Sequence, residues 1–418
     1  MRTEIKTGTE IKSQKKLHFL RIIAVWTLVS LLLQSGFYFT VNRAIAKMMM
    51  LPSANLKTIT ATLEAVLPDD HPENLQISYA KDYIAYMSDG LFKVFNLKQN
   101  KVVFVKKPDT GSDKEMGIIN YQWLRDRNTL IYFFAKKNPS PYTTVLVSDP
   151  NTKPSTQNQE NPSLLNEESQ IVKEQTKEVK VYQPQLTEIY TLDLPNSSDS
   201  TPPDDRQTMT LADFPAGGKI EHIASSTYTN LIYLTIKTGS SVKLMEIDVN
   251  KNTRMLQQAG ETLLDITASD RYGTLYIESK TGNVKQILAL DGSQRRVVEK
   301  NNSYCILGDC AGKLYIGEVK NARLVQIFTV NDSSKKNNQF TLSPTWQGDI
   351  PFSNGQVGID SEGKVVLYEN HCAYIISGGK EKTETISGEE NYISNDGAVL
   401  IQLTHQDGST KVNISPLN

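Results

Sequence analysis

The chain has 418 residues, 39% of them hydrophobic, and a formal net charge of −1. That is enough apolar material for one large domain with a buried core. No dense Lys/Arg run occurs beyond the amino-terminal tail, which excludes the clustered basic surface that electrostatic binding to nucleic acid requires. Three cysteines, with no Cys-x-x-Cys and no zinc spacing, exclude a disulfide-dense scaffold and a structural zinc site.

Residues 1–21 form a basic tail carrying Arg2, Lys6, Lys12, Lys15, Lys16 and Arg21. Residues 22–41 read IIAVWTLVSLLLQSGFYFTV and carry no formal charge. About twenty such residues span the hydrocarbon as a helix. Trp26 lies toward one end and Phe37, Tyr38 and Phe39 toward the other, where aromatic rings favour the interface. Beyond the segment only Arg43 and Lys47 are nearby, so the positive-inside bias puts the tail in the cytoplasm and everything after about residue 42 outside. A single-pass cell-membrane protein is the expectation, with 42–54 as a linker. The competing reading is a signal peptide cleaved after Ala44-Ile45-Ala46, although the apolar stretch is longer than a usual signal core and runs close up to Arg43.

From about residue 55 the texture becomes short β-type runs separated by Gly, Asp, Asn and Ser. A repeat is present. It reads Asp270-Arg-Tyr-Gly273-Thr-Leu-Tyr276, Asp309-Cys-Ala-Gly312-Lys-Leu-Tyr315, Asp360-Ser-Glu-Gly363-Lys-Val-Val366 and Asn395-Asp-Gly397-Ala-Val-Leu400. Weaker versions are Asp126-Arg-Asn128-Thr-Leu-Ile-Tyr132, Tyr228-Thr-Asn230-Leu-Ile-Tyr233 and Asp82-Tyr-Ile-Ala-Tyr86. Asp or Asn caps a tight turn, Gly or Asn supplies positive φ, and the next residues begin an inner strand. A further strand and an outer strand follow, as in Phe92–Leu97 before Lys101–Val105, Thr187–Asp193 before Thr208–Leu211, Leu244–Val249 before Thr253–Leu256, and Gln286–Asp291 before Arg296–Val298.

These units of four strands recur at roughly forty residues, the size of a propeller blade. The expected fold is an all-β propeller of about seven blades over 55–418, starting near 75, 119, 219, 262, 303, 351 and 390; six or eight blades also fit. The last unit lacks an outer strand, which Leu56–Leu63 can supply to close the ring. The Asp-x-x-Gly-x-Leu-Tyr turn and the strand ending in Asp resemble bacterial envelope propellers of the TolB-like and NHL-like kind, and the propeller that precedes the hydrolase in dipeptidyl peptidases. The resemblance implies architecture and a role in binding proteins, peptides or sugars, or in shielding a neighbouring enzyme. It carries over no functional residue, because the matching positions build turns.

Residues 136–184 break the repeat. Pro139, Pro141, Pro150, Pro154 and Pro162 precede a polar run, a composition that buries too little apolar surface to offset ordering entropy. The expectation is a long disordered loop within blade 2, with a transient helix over Glu167–Val181 and a second polar loop over Asn196–Gln207. It is either a tolerated insertion or a partner-binding arm.

No G-x-S-x-G, Walker loop or strand-borne G-x-G-x-x-G is present. His18, His71, His222, His371 and His405 are scattered, although a propeller axis can gather distant residues. Asp270, Asp309 and Asp360 read as turn caps rather than metal ligands, and Trp123 and Trp346 as core. Cys305 and Cys310 are either packing residues or a disulfide pair, with Cys372 left over. No catalytic, cofactor-binding or metal residue is assigned, and no cofactor is expected. The expected function is a non-enzymatic protein-binding or scaffold module of the cell envelope. The alternatives are an envelope enzyme with a polar or metal site in the channel, or a ligand-sensing module. Polar convergence on the axis favours the enzyme, and a plugged axis the scaffold.

Overall fold

The structure is a computed structural model of the chain and describes residues 26–27, 30, 34, 62–109, 116–148, 176–196, 201–331, 340–352, 356–369 and 371–417. The membrane segment 22–41 lies outside the described residues apart from Trp26, Thr27, Ser30 and Gln34, which are helical; the tail 1–21 and the linker 42–54 lie wholly outside. Among the described residues no helix is long and apolar enough to cross a membrane.

The strands arrange as seven four-stranded antiparallel sheets, the blades of a propeller. After β1 (Leu63–Leu67), blade 1 runs inside to outside as β2 (Glu73–Ile77), β3 (Tyr83–Ser88), β4 (Leu91–Asn96) and β5 (Lys101–Lys106). In blade 2, β6 (Gly117–Trp123) and β7 (Thr129–Lys137) are separated from β10 (Gln185–Asp193) and β11 (Asp204–Leu211) by a two-stranded ribbon, β8 (Tyr142–Ser148) and β9 (Thr176–Tyr182). Blade 3 is β12 (Lys219–Ser226), β13 (Leu231–Thr238), β14 (Ser241–Ile247) and β15 (Thr253–Met255). Blade 4 is β16 (Glu261–Ala268), β17 (Leu275–Thr281), β18 (Val284–Asp291) and β19 (Gln294–Lys300). Blade 5 is β20 (Tyr304–Cys310), β21 (Lys313–Lys320), β22 (Arg323–Asn331) and β23 (Ser343–Pro351). Blade 6 is β24 (Gln356–Ile359), β25 (Val365–Glu369), β26 (Cys372–Ser377) and β27 (Lys380–Thr385). Blade 7 is β28 (Glu390–Ile393), β29 (Val399–Gln406) and β30 (Ser409–Pro416), completed on its outer edge by β1.

The expected blade starts and blade number agree with this arrangement. The strand after the Gly turn is the second of its blade, not the innermost; a further strand such as β16 precedes the turn. Ring closure follows the expected logic with a later segment. Leu63 pairs with Ile414 and Leu67 with Thr410, whereas 56–61 lie outside the described residues. Leu67, fully buried, is what selects this register.

Among the described residues there is no single central core. Seven buried clusters fill the seven seams between adjacent blades. Middle strands are therefore covered on both faces, and β3 (YIAYMS) and β17 (LYIESKT) are buried in a run rather than in alternation. The cluster joining Leu67, Ile84 and Phe95 to Ile401 and Leu403 fastens blade 7 to blade 1. Trp123 and Trp346 are both core residues, as their sequence context implies.

The insertion departs from expectation at both ends. Tyr142–Ser148 and Thr176–Tyr182 pair antiparallel, Tyr142 with Tyr182 and Ser148 with Thr176. Their sequences, YTTVLVS and TKEVKVY, carry β-branched residues at period two, which the proline content of the stretch concealed. The second of these strands replaces the expected helix over its carboxy-terminal half; residues 149–175 lie outside the described residues. β11 likewise starts at Asp204, inside the expected polar loop. Its polarity belongs to an outer edge strand, not to a loop.

All three cysteines are free. Cys305 and Cys310 sit on the same strand, β20, five residues apart at about 3.3 Å each, and are too distant to bridge.

Candidate functional site

Seven inner strands surround the axis, and five of them are irregular. β2 shifts register between Glu73 and Gln76, and β6 between Ile118 and Asn120. β12 shifts between Ile220 and His222, β16 between Leu263 and Asp265, and β20 between Ile306 and Gly308. A bulge re-aims the side chains that follow it and frees a backbone group. Here the polar residues so displaced stitch one blade to the next. Gln76 donates to the Tyr121 carbonyl at 3.0 Å, and Asn120 to the Ile220 carbonyl at 2.9 Å. His222 Nδ1 lies 3.2 Å from an Asp265 carboxylate oxygen. Glu278 accepts from the Ile306 amide at 2.6 Å while pairing with Lys285 at 2.8 Å.

Burial pushes the Asp265 carboxyl up from its ordinary value; His222 and Lys285 pull it down, and Glu278 adds to the rise. The nearby Cys305 thiol is pushed up to about 12, chiefly by burial. It is held as a protonated packing group, not as a nucleophile.

The turns that follow the inner strands gather at one end of the channel. There Arg125 of blade 2 reaches across to blades 4 and 5. Its guanidinium is 3.5 Å from the Asp270 carboxylate and donates to the Asp309 carbonyl at 3.0 Å. Burial raises the Asp270 carboxyl, and Arg125 opposes that rise. Lys81 and Asp396 pair at 2.7 Å across the blade 1–7 seam. Burial pulls the Asp396 carboxyl up, but Lys81, Ser394 and the Ala398 amide outweigh it and hold the group low. Asp360 caps its own turn, accepting from the amides of Glu362 and Lys364. Asp270, Asp360 and Asp396 thus serve different tasks, and among the described residues no group of three His, Cys, Asp or Glu side chains could hold a metal ion.

The histidines do not converge on the axis. His71 and His405 meet, ring centroids 5.0 Å apart, beside the closure strand, where His405 Nδ1 donates to the Asp70 carbonyl at 2.6 Å. His222 is paired as above, His371 occupies a turn at φ 59°, and His18 lies outside the described residues.

The opposite end of the channel carries a polar cavity of about 680 Å³ lined by His71, Glu73, Asn74, Gln76, Asn120 and Tyr121 among others. The blade 2 ribbon rises from the same end, because β7 begins at the turn after Arg125 and ends at Lys137 next to the ribbon. The ribbon base is firmly held. Gln183 donates through its amide to Pro141 and through its side chain to the Ala212 and Phe214 carbonyls; Asn138 donates to Gln183 and Pro184. Tyr142 and Tyr182, 5.2 Å apart between centroids, are 67% and 59% exposed, so this aromatic pair covers no core. The β8 and β9 strands pair only with each other among the described strands.

Sequence reasoning missed Arg125 and the ribbon. For the ribbon the alternation in YTTVLV was the available signal. Arg125 carries none, since its partners come from blades far away in the chain.

No protein-family model matches the chain, and no curated protein matches it. Among solved structures the chain is similar to the β-propeller domain of Myceliophteria thermophila Cps50 (Swd1), with 12% identity, a TM-score of 0.49, and coverage of 85% of this chain and 100% of that one. It is similar to the Dos1 propeller at 10% identity and a TM-score of 0.42, covering 82% of this chain and 77% of that one. It is also similar to dihydro-heme d1 dehydrogenase NirN in complex with DHE, at 12% identity and a TM-score of 0.40, with 81% of this chain and 62% of that one covered.

Proposed function

We propose that this protein is a non-enzymatic binding module that captures a protein partner on the ribbon-bearing face of its propeller. The observation that carries the proposal is the ribbon itself: a firmly based β-arm that presents an exposed tyrosine pair and strand edges. Exposed tyrosines supply large contact area at little entropic cost, and an unpaired strand edge accepts an extended segment by strand addition. At the other end, the one cation that reaches across the turns, Arg125, is already paired with groups of blades 4 and 5, which favours a structural tie over a catalytic role there. The uncharged segment 22–41 and the basic tail before it support a membrane tether, with the propeller on the extracytoplasmic side and envelope proteins as partners.

The test is cross-linking in intact cells of the source, with the full chain, a Tyr142→Ser/Tyr182→Ser variant and residues 1–61 alone. The expected result is a partner caught by the full chain, lost with 1–61, and reduced at least tenfold in the double variant. Equal capture by the double variant would remove the ribbon from the binding reading.

A further inference from the structure

We infer that Tyr142 and Tyr182, paired across the base of the blade 2 ribbon, are an oxidative modification site: one-electron oxidation joins their rings as an intrachain dityrosine and closes the ribbon covalently. The inference rests on the geometry of the pair and does not depend on the ribbon's role in capture.

The register puts the two residues directly opposite each other on β8 and β9. Directly opposed residues of an antiparallel pair hold their Cβ atoms about 5 Å apart. The rings lean together, with centroids 5.2 Å apart and planes at 47°. At that separation their edges meet after small side-chain rotations, with no movement of the backbone. The backbone beneath is fixed, since the Gln183 amide donates to the Pro141 carbonyl and the Asn138 side chain to the Gln183 carbonyl. Rings held this way react as parts of one molecule, the condition under which proximity contributes most to a rate.

Access separates this pair from the other one. Among the described residues, two pairs of tyrosines bring their rings together. Tyr132 and Tyr190 stack face to face, with centroids 4.9 Å apart and planes within 6°. Tyr132 is fully buried and donates to Asp205 at 2.6 Å, and Tyr190 donates to Glu188 at 3.1 Å. Close packing denies those rings the rotation that coupling needs. Tyr142 and Tyr182 are 67% and 59% exposed, so an oxidant reaches both and neither is confined. Tyr228 is 58% exposed but enters no ring pair among the described residues.

The chemistry balances with a single peroxide. Each phenol gives up its hydroxyl proton and an electron, leaving a phenoxyl radical with unpaired spin on the carbons beside the oxygen. One such carbon of Tyr142 bonds to one of Tyr182. The hydrogens on those carbons pass through solvent to the two oxygens, which restores both rings. The pair thus loses two protons and two electrons. Hydrogen peroxide, used by a haem peroxidase in one-electron steps, takes them up and leaves as two waters. The new bond closes a covalent loop over residues 142–182, around strands that pair only with each other among the described strands. A lone two-stranded hairpin is marginal in water, and the cross-link holds its base together however far the strands fray.

The test treats the full chain with a haem peroxidase and hydrogen peroxide, and reads dityrosine fluorescence and cross-linked peptides by mass spectrometry. The expected product is a monomer lighter by two hydrogen atoms, with peptides joined at Tyr142 and Tyr182. Its yield should not depend on protein concentration. Tyr142→Phe and Tyr182→Phe should each lower it at least tenfold, and Tyr228→Phe should leave it unchanged. Phenylalanine keeps the ring and lacks only the phenol, and equal melting temperatures show that the fold is kept. No intrachain product under conditions that couple free tyrosine, a product joined at Tyr132 and Tyr190 instead, or interchain dimers alone would each overturn the inference.

Discussion

The guanidinium of Arg125 lies 3.5 Å from the carboxylate of Asp270, although the whole of blade 3 separates their blades in the ring. The contact spans the axis, so it ties together parts of the ring that share no seam.

Removal of this cation should be felt most at neutral and alkaline pH. Burial already raises the Asp270 carboxyl, and Arg125 is the group that opposes the rise. A raised folded-state value means that stability is present below the unfolded carboxyl value, near 4, and is lost as pH climbs through the folded value. Arg125→Ala should therefore cost about 1–2 kcal/mol at pH 7.5 and much less at pH 4, discounted for the partial exposure of both side chains. Adding Asp270→Asn should recover most of the loss. Thermal melts of the wild type and the two variants at both pH values provide the check.

The repeat turns separate backbone strain from steric overlap. Gly273 has φ 70°, and a Cβ there would lie 2.2 Å from Thr229 Cγ2. Gly282 has φ 62° with nothing within 4 Å of such a Cβ. Gly282→Ala should cost about 1 kcal/mol from positive φ alone. Gly273→Val should cost roughly 2 kcal/mol more, because Thr229 must move within a packed turn. Urea titrations of both variants measure the difference, and equal midpoints would contradict the steric account.

Asp69, in the connection between β1 and β2, shows the opposite pH sign. Its burial pulls the carboxyl up, but hydrogen bonds from Lys93, Tyr86 and Ser88 outweigh that and hold it below the ordinary value. Its contribution is present above the unfolded value, near 4, and is lost as pH falls through the lowered folded value. Asp69→Asn should cost about 2–4 kcal/mol at pH 7, since Lys93 would be left without its buried partner. The gap from the wild type should narrow below about pH 4. A pH series of chemical denaturations tests both statements.

The cysteines should be slow to react. Burial pushes the thiols of Cys305 and Cys310 up to about 12, which leaves almost no thiolate at pH 8. Native protein should alkylate at these two positions at least a hundredfold more slowly than unfolded protein, by mass spectrometry. Reductant should leave the melting temperature unchanged.

Local order was legible where one residue decides it. Asp360 and Gly363 make a turn in any context that allows one, and the blade starts could be counted from such turns. The closure of blade 7 by the amino-terminal region followed from counting outer strands. What escaped was set by partners distant in sequence. Arg125 meets its partners only when blades 4 and 5 come within its reach. The ribbon was obscured because proline and polar content describe the average of a segment, whereas Val145 pairs with Val179 across the masking stretch. The polar belt at the axis depends on bulges, and bulges leave no compositional mark in one strand.

Blade 7 is assembled from opposite ends of the chain: β1 ends at Leu67, and its partner β30 begins at Ser409. A ribosome adding about 5–20 residues per second makes the intervening residues 68–408 in roughly 20–70 s. Throughout that interval Ala65 and Leu67 have only the blade 1 half of their native cluster to cover them, and the strand that bears them, lacking β30, can pair with any other edge it meets. The period of greatest exposure to mispairing is thus governed by translation rather than by the intrinsic folding rate. Slowing elongation late in the message should raise the misassembled fraction even though the finished protein is unchanged.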